Sequence, residues 1–249
     1  MNYTLITGAS SGIGKAMAYK FAEEGHNLIV VARRLDALNE LKNDIEAKHQ
    51  VKVEVIDSDL SIEENAYKLY ENVKGFELTA MINNAGYGNF NFLWDVDLPH
   101  MTKMIDLNVK SLSILSTLFT KDYKNKEAQL INVASVGGYY TMATAATYVA
   151  TKFYVASYTE SLAQELKANN LPMKAKVLAP GPVETEFVDV ANQTAANKID
   201  PSVFGTFHSA EQMADFTYQL YKSDDVVGIV NYPEMTFSTR GAIHPAFGL

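Results

Sequence analysis

The chain has 249 residues, 47% of them hydrophobic, and a formal net charge of −8 at pH 7. A chain of this length can bury a sizeable core, and we expect one domain over residues 1–249. The acidic balance argues against a nucleic-acid partner, because binding a polyanion requires a dense basic face. The chain has no cysteine, which excludes thiol chemistry and agrees with a cytoplasmic protein.

Membrane and metal partners are not expected either. Apolar runs such as residues 28–32 are far shorter than the roughly 20 residues that cross a bilayer. Residues 1–7 lack the basic region and the cleavage site of a signal peptide. The five histidines lie far apart and form no His-Glu-x-x-His arrangement, so the sequence predicts no metal site.

Short apolar runs alternate with longer amphipathic stretches, a pattern typical of repeated βαβ units. Strands are predicted at residues 3–7, 27–32, 52–56, 80–83, 128–133, 175–179 and 227–230. Helices are predicted at residues 14–24, 36–48, 62–73, 99–123, 147–169 and 210–221. We therefore expect an α/β fold, a doubly wound parallel sheet of about seven strands with helices on both faces. The long connection after the sixth strand is a candidate substrate lid over about residues 183–209.

A glycine-rich segment, Thr7-Gly8-Ala9-Ser10-Ser11-Gly12-Ile13-Gly14, follows the first strand and opens the first helix. Glycine lets the backbone approach a pyrophosphate, and the helix N-terminus supplies free N–H donors and a positive dipole. The segment therefore favours a dinucleotide, although a glycine triplet can also form only a tight turn. The expected contacts are Gly8, Ser10, Ser11, Gly12, Ile13 and Gly14.

The spacing Gly-x3-Gly-x-Gly resembles that of the short-chain dehydrogenase/reductase family, which implies a Rossmann-type fold. In NAD-preferring sites an acidic residue ends the second strand and would repel a 2′-phosphate. Here the chain reads Ala32-Arg33-Arg34. The missing carboxylate, together with arginines that can bind phosphate, predicts NADP(H), with Arg33 as the first choice. Alternatively, Arg33 and Arg34 are a solvated start to the second helix.

Three further segments resemble cofactor-binding segments of the family. Asp59-Leu60 corresponds to a pair whose aspartate contacts the adenine amino group, and Asn83-Asn84-Ala85-Gly86 corresponds to a segment that lines the cofactor pocket. Residues 180–185 resemble the segment that holds the nicotinamide carboxamide. The residues implied are Asp59, Leu60, Asn84, Ala85, Gly86, Pro180, Gly181, Val183 and Thr185. Helix capping by Asp59, an ordinary turn at 83–86 and a stiffening role for Pro180 are the alternatives.

Tyr148 and Lys152 stand at i and i+4, on one face of a predicted helix. An adjacent ammonium lowers the pKa of a phenol, ordinarily about 10, towards the range of a proton donor and acceptor. Alone, this pair could be an ordinary helix-face contact in a chain with 14 tyrosines. Ser135 and Asn108 resemble the family's catalytic serine and the asparagine that positions water, which completes the set, and Tyr148 and Lys152 also contact the cofactor in the family.

The resemblance implies an oxidoreductase that transfers a hydride between NADP(H) and a carbonyl compound or secondary alcohol, with Tyr148 as general acid and base. The family also implies a homodimer or homotetramer through helices 99–123 and 147–169, although the tail 232–249 lacks the usual Asp-Gly-Gly type ending. The alternative is a catalytically silent, nucleotide-responsive regulatory protein on the same fold. Six large apolar residues are expected to border a partly hydrophobic substrate pocket, or else to serve packing alone: Tyr139, Tyr140, Met142, Phe187, Val188 and Phe204.

Overall fold

One mixed sheet forms the centre of the molecule, and the computed structural model describes residues 2–195 and 198–246. Its strands are β1 (Asn2–Thr7), β2 (Asn27–Ala32), β3 (Val53–Asp57), β4 (Glu77–Asn83), β5 (Gln129–Val133), β6 (Lys174–Ala179), β7 (Val227–Asn231) and β8 (Thr236–Arg240). Their order in the sheet is β3-β2-β1-β4-β5-β6-β7-β8. All pairs are parallel except β7 with β8. The predicted doubly wound α/β sheet is confirmed, and β8 is an addition to the predicted strands.

Helices cover both faces of the sheet. They are α1 (Gly12–Glu23), α2 (Leu35–Lys48), α3 (Glu63–Val73), α4 (Leu98–Ile105), α5 (Leu112–Tyr123), α6 (Ala146–Ala168), α7 (Phe187–Asn192) and α8 (Ala210–Lys222). Successive strand residues face opposite layers: Ile6 and Val30 lie in the core with α1, α2 and α8, whereas Leu5 and Ile29 lie in the core with α3, α5 and α6. Because both faces are buried, these strands are apolar throughout rather than alternating.

No helix within residues 2–195 and 198–246 combines the length and the apolar content that crossing a bilayer requires. The same ranges contain no group of three or more histidine or carboxylate side chains placed to hold a metal ion.

The predicted helix 99–123 is interrupted. Between α4 and α5 the chain forms a π-helical turn over Asp106–Ser111, which adds backbone to one turn without ending the helix. Asn108 lies in this turn and is buried. Turns of this kind are common at functional sites, and this one lies beside the cleft described below.

The C-terminal segment is attached to α6 through one buried carboxylate. Glu160 is 1% exposed and accepts hydrogen bonds from the Tyr139 hydroxyl at 2.7 Å, from the His244 backbone N–H at 2.8 Å and from the Ile243 backbone N–H. The His244 ring adds a contact from Nδ1 at 2.9 Å and stacks on Tyr139, with 5.1 Å between ring centroids. The segment that follows β8 is therefore part of the packed structure at α6.

Replacing Glu160 with alanine should destabilise the fold markedly. The change leaves the Tyr139 hydroxyl and two backbone N–H groups without their buried acceptor, so the free energy of unfolding should fall by about 3 kcal/mol. Urea denaturation followed by circular dichroism measures this loss. Glu165→Ala, an exposed position on the same helix, should change stability by less than about 0.5 kcal/mol. Equal stability of the two variants would contradict the role assigned to Glu160.

Candidate active site

A cleft of about 1120 Å³ opens at the carboxyl ends of the central strands. From β1 the chain continues to β2 and β3 on one side, and it then crosses to β4 on the other side of β1. Ligands of doubly wound sheets bind at such a reversal of the strand order. The loops that follow six parallel strands all reach it: Gly8 after β1, Arg33 after β2, Ser58 after β3, Asn84 after β4, Ser135 after β5 and Pro180 after β6. Every predicted cofactor and catalytic residue lines this cleft except Asn108.

The glycine loop is built so that backbone packs directly on backbone. Gly8 has φ +70°, a left-handed conformation that favours glycine, and a Cβ on Gly14 would lie 2.3 Å from the Gly8 carbonyl oxygen. The loop is tied to the end of β4, because the Thr7 hydroxyl oxygen accepts from the Asn84 and Ala85 N–H groups, both at 3.0 Å. The side-chain amide of Asn84 in turn donates to the Thr7 carbonyl oxygen at 3.0 Å.

The first turn of α1 lines the cleft with Gly12, Ile13 and Gly14. Its N-cap residue, Ser11, makes no side-chain hydrogen bond to that turn, although serine at this position usually satisfies one of its donors. Free donors and the positive end of the helix dipole fit an anionic group. The residues present therefore fit a dinucleotide pyrophosphate, which Ser11, Gly12 and Ile13 would hold.

Tyr148 and Lys152 are both buried, on the first two turns of α6 at the floor of the cleft. The Lys152 ammonium donates to the Val133 carbonyl oxygen at 2.9 Å, and its nitrogen lies 5.8 Å from the centroid of the Tyr148 ring. Burial raises the pKa of Tyr148 to about 12, and a hydrogen bond with Ser135 opposes that shift. Burial lowers the pKa of Lys152 to about 8. The phenol is therefore protonated at neutral pH, a proton donor standing beside a serine hydroxyl.

The direction of this pKa shift differs from the expectation. The adjacent ammonium was expected to lower the pKa of the Tyr148 phenol, yet desolvation dominates and raises it. The physical reason is that Lys152 points to the end of β5, where it pairs with the Val133 carbonyl oxygen, and not to the phenol oxygen.

A family model described as short chain dehydrogenase matches residues 2–196. The chain belongs to the short-chain dehydrogenase/reductase family. The family is one of oxidoreductases, and the predicted resemblance to it is confirmed. A very-long-chain 3-oxoacyl-CoA reductase of Vanderwaltozyma polyspora is 35% identical over 70% of this chain, but the match spans only about half of that reductase, 53% of its length.

Solved structures of the family share the fold. A short-chain dehydrogenase from Sphingobium yanoikuyae in complex with NADPH superposes with a TM-score of 0.83 and 24% identity, covering 94% of this chain and 89% of that one. A short-chain dehydrogenase/reductase from Burkholderia phymatum in complex with NAD has a TM-score of 0.78 and 24% identity, covering 88% of this chain and 84% of that one. At these identities the likeness concerns the fold. The two neighbours carry different dinucleotides, so they leave the choice between NAD and NADP open.

The two arginines after β2 have different surroundings. Arg34 donates from Nε to the Ser10 hydroxyl at 3.2 Å and forms a two-point ion pair with Glu186, with nitrogen to oxygen distances of 3.1 and 3.4 Å. The ion pair, with help from Ser11, lowers the pKa of Glu186. Arg33 is exposed and lies near Tyr87, where its charge opposes the burial that raises the pKa of that phenol to about 12. Arg34 thus joins the glycine loop to the segment before α7, a contact that the motifs did not reveal.

Asp59 organises the turn before α3 and also lines the cleft, although the N-cap residue of α3 is Ile62. Its carboxylate accepts from the Ser61 N–H at 3.1 Å and from the Ser61 hydroxyl at 2.7 Å, which organises the turn before α3. It also pairs with Lys103 at 3.2 Å and lines the cleft. Burial raises the pKa of Asp59, but the bonds from Ser61 and Lys103 outweigh it and the net shift is downward. The carboxylate is therefore ionised and held in place.

The side chain of Asn108 connects the segment after β4 to α6. Its side-chain oxygen accepts from the Tyr87 N–H at 3.2 Å, and its amide donates to the Tyr87 carbonyl oxygen at 2.9 Å and to the Thr151 hydroxyl at 3.2 Å. A Cβ placed on Gly86 would lie 3.0 Å from the Asn108 oxygen and 3.6 Å from the Lys152 nitrogen. Asn108 therefore lies close to Lys152 and holds the segment after β4 against α6.

Aromatic rings line the part of the cleft around Tyr148. The ring of Tyr148 lies 5.5 Å from that of Phe187 and 6.2 Å from that of Phe90, and Phe90 lies 5.8 Å from Phe204. Gly88 allows this packing, because a Cβ there would lie 2.7 Å from the Phe187 ring. Sequence reasoning missed Phe90, although it follows the family motif at 83–86 by only a few residues.

Most of the predicted substrate-pocket residues line the cleft: Tyr140, Met142, Phe187, Val188 and Phe204. The prediction for Tyr139 is wrong. Its hydroxyl is bonded to the buried Glu160, which turns the ring away from the cleft and against His244. Consecutive tyrosines in an irregular segment point in different directions, and the pattern of the sequence carries no sign of which one faces the cleft.

Alanine at position 14 should abolish tight dinucleotide binding. Its methyl group would displace the Gly8 carbonyl and with it the loop that is expected to hold the pyrophosphate, so the dissociation constants of NADPH and NADH should both rise at least tenfold. Fluorescence titration measures both constants, and a thermal melt reports whether the fold persists. Gly75→Ala is the matched control, because a Cβ at Gly75 meets nothing within 4 Å. Unchanged affinity in a folded Gly14→Ala variant would disprove the loop assignment.

Proposed function

We propose that this protein is an NADP(H)-dependent oxidoreductase that interconverts carbonyl compounds and secondary alcohols, with Tyr148 as the proton-transfer residue. The observation that carries the proposal is the protonated phenol of Tyr148 beside Ser135 and above Lys152, in the same cleft as a loop that fits a pyrophosphate. Hydride transfer leaves an alkoxide that needs a proton, so an acid must stand near the substrate oxygen.

The nicotinamide supplies the hydride when the dinucleotide is bound. Tyr148 donates the proton to the carbonyl oxygen, and the Ser135 hydroxyl holds that oxygen in place. The Lys152 ammonium, 5.8 Å from the centroid of the Tyr148 ring, would favour the phenolate that remains after proton transfer, against the larger effect of burial. Asn108 holds the segment after β4 against α6, close to Lys152. A pKa of about 12 for Tyr148 keeps the phenol protonated at neutral pH, as a proton donor must be.

The dinucleotide would lie along the glycine loop towards β2 and β3. Gly8, Ser10, Ser11, Gly12, Ile13 and Gly14 would surround its pyrophosphate, while Asp59, Leu60, Asn84, Ala85 and Gly86 would line its adenosine half. Pro180, Gly181, Val183 and Thr185, on the loop after β6, would hold the nicotinamide end. Arg33, the arginine not engaged by Glu186, is the group we assign to the 2′-phosphate, with Arg34 beside it.

Replacing Tyr148 with phenylalanine should remove turnover and keep dinucleotide binding. Only the hydroxyl is lost, so NADPH affinity should stay within about threefold while kcat for carbonyl reduction falls by about 10²–10⁴. Absorbance of NADPH and a binding titration measure the two effects. Tyr154→Phe, on the exposed face of the same helix, should keep normal turnover. Normal kcat in Tyr148→Phe would remove this residue from the mechanism, and a wild type that binds NADPH but reduces no carbonyl in a broad panel would favour the silent regulatory alternative.

Alanine at Arg33 should lower affinity for NADPH and spare NADH. Charge-assisted contacts to a phosphate are available only to the phosphorylated cofactor, so the NADPH dissociation constant should rise about 10- to 100-fold with little change for NADH. Titration of both dinucleotides checks this, with Arg240→Ala, distant on β8, as the control. Equal losses for the two cofactors would defeat the assignment.

A further inference from the structure

We infer that the substrate half of this cleft accepts uncharged carbonyl compounds bearing an apolar group of about phenyl size, and that Asp189 turns away anionic ones. The inference rests on the proposed function and deepens it. In the reaction, the hydride of NADPH adds to the carbonyl carbon, the carbon–oxygen π bond opens and the oxygen takes the Tyr148 proton. The ketone is reduced to an alcohol, NADPH is oxidised to NADP⁺, and solvent restores the proton.

Within the described part of the chain, the charged side chains that line the cleft are Arg33, Arg34, Asp59, Lys152, Glu186 and Asp189. Arg33 and Asp59 follow β2 and β3, on the side of the cleft assigned to adenosine. The Lys152 ammonium is buried and paired with the Val133 carbonyl oxygen. These groups offer no counter-ion to a substrate.

The remaining charged side chains of the cleft are Arg34, Glu186 and Asp189. Arg34 and Glu186 neutralise each other through their two-point ion pair. Asp189 is exposed on α7 and lines the cleft, and no ion pair in the described part of the chain neutralises it. A substrate carboxylate or phosphate would thus meet a like charge and would lose its hydration without gaining a cation.

Apolar side chains line the same cleft in larger number. Phe90, Phe187 and Phe204 form a continuous aromatic surface against the Tyr148 ring. Further apolar side chains between β6 and α8 also line the cleft: Val188, Val190, Ile199, Val203 and Phe207. An apolar group on the carbonyl carbon would be buried against these rings while its oxygen points to Tyr148 and Ser135. Removing the area of a phenyl ring from water favours such substrates over small polar ones.

Two substrates of different charge test the inference. Methyl 4-acetylbenzoate and 4-acetylbenzoate share the same ring and ketone, and we expect kcat/KM with NADPH to be at least 100-fold higher for the neutral ester. Dihydroxyacetone, small and polar, should be reduced more slowly than the ester by at least tenfold. Comparable rates for ester and acid, or turnover of dihydroxyacetone alone, would overturn the inference while leaving the proposed reductase function intact. Reduction of none of a broad carbonyl panel would instead reject the proposed function.

Charge reversal identifies the responsible carboxylate. Asp189→Lys should raise the ratio of kcat/KM for acid over ester by at least tenfold, because it replaces the like charge with a counter-ion. Glu127→Lys makes the same change in net charge just before β5, at the opposite end of the sheet, and should leave the ratio unchanged. Phe204→Ala should lower kcat/KM for the ester more than for dihydroxyacetone. An unchanged ratio in Asp189→Lys, or equal shifts in both lysine variants, would refute the role of Asp189.

Discussion

The ammonium of Lys152 lies in the protein interior, and the Val133 carbonyl oxygen 2.9 Å away is the acceptor that keeps it there. A buried charge without such a partner would be prohibitively costly. Val133 ends β5, Ser135 follows it closely, and Tyr148 precedes Lys152 by one helical turn. One hydrogen bond therefore aligns a strand end with a helix and brings phenol, hydroxyl and ammonium together. The other cleft residues surround this pair of elements, β5 and α6.

The sheet was largely predictable because parallel strands buried on both faces are recognised by continuous apolar runs. Strand β8, Thr236–Arg240, escaped prediction since it is a polar edge strand whose pairing depends on β7 alone. The π-helical turn at Asp106–Ser111 escaped for a different reason. It shifts the helical pattern by a single residue, and the amphipathic pattern over 99–123 continues across it.

Within the cleft, short motifs predicted which backbone loops meet, because each follows a strand and parallel strands end at one edge. The motifs could not predict the surroundings of each side chain. The pKa of Tyr148 depends on burial by the aromatic residues Phe90 and Phe187, and the Arg34–Glu186 ion pair joins residues 152 positions apart in the chain. Tyr139 shows the same limit, since its partner Glu160 lies on another element. Contacts of this kind arise from packing, which local patterns do not record.

The carboxylate of Glu160 also constrains how this chain can diverge. It accepts hydrogen bonds from the Tyr139 hydroxyl and from the His244 backbone N–H, so it links a residue close to Ser135 with the segment that follows β8. A relative that replaces Glu160 by an apolar residue must also lose the hydroxyl at position 139 and reroute the segment at 243–244. These positions should therefore covary among homologues, a signature that would separate the sequences sharing this C-terminal arrangement from the rest of the family.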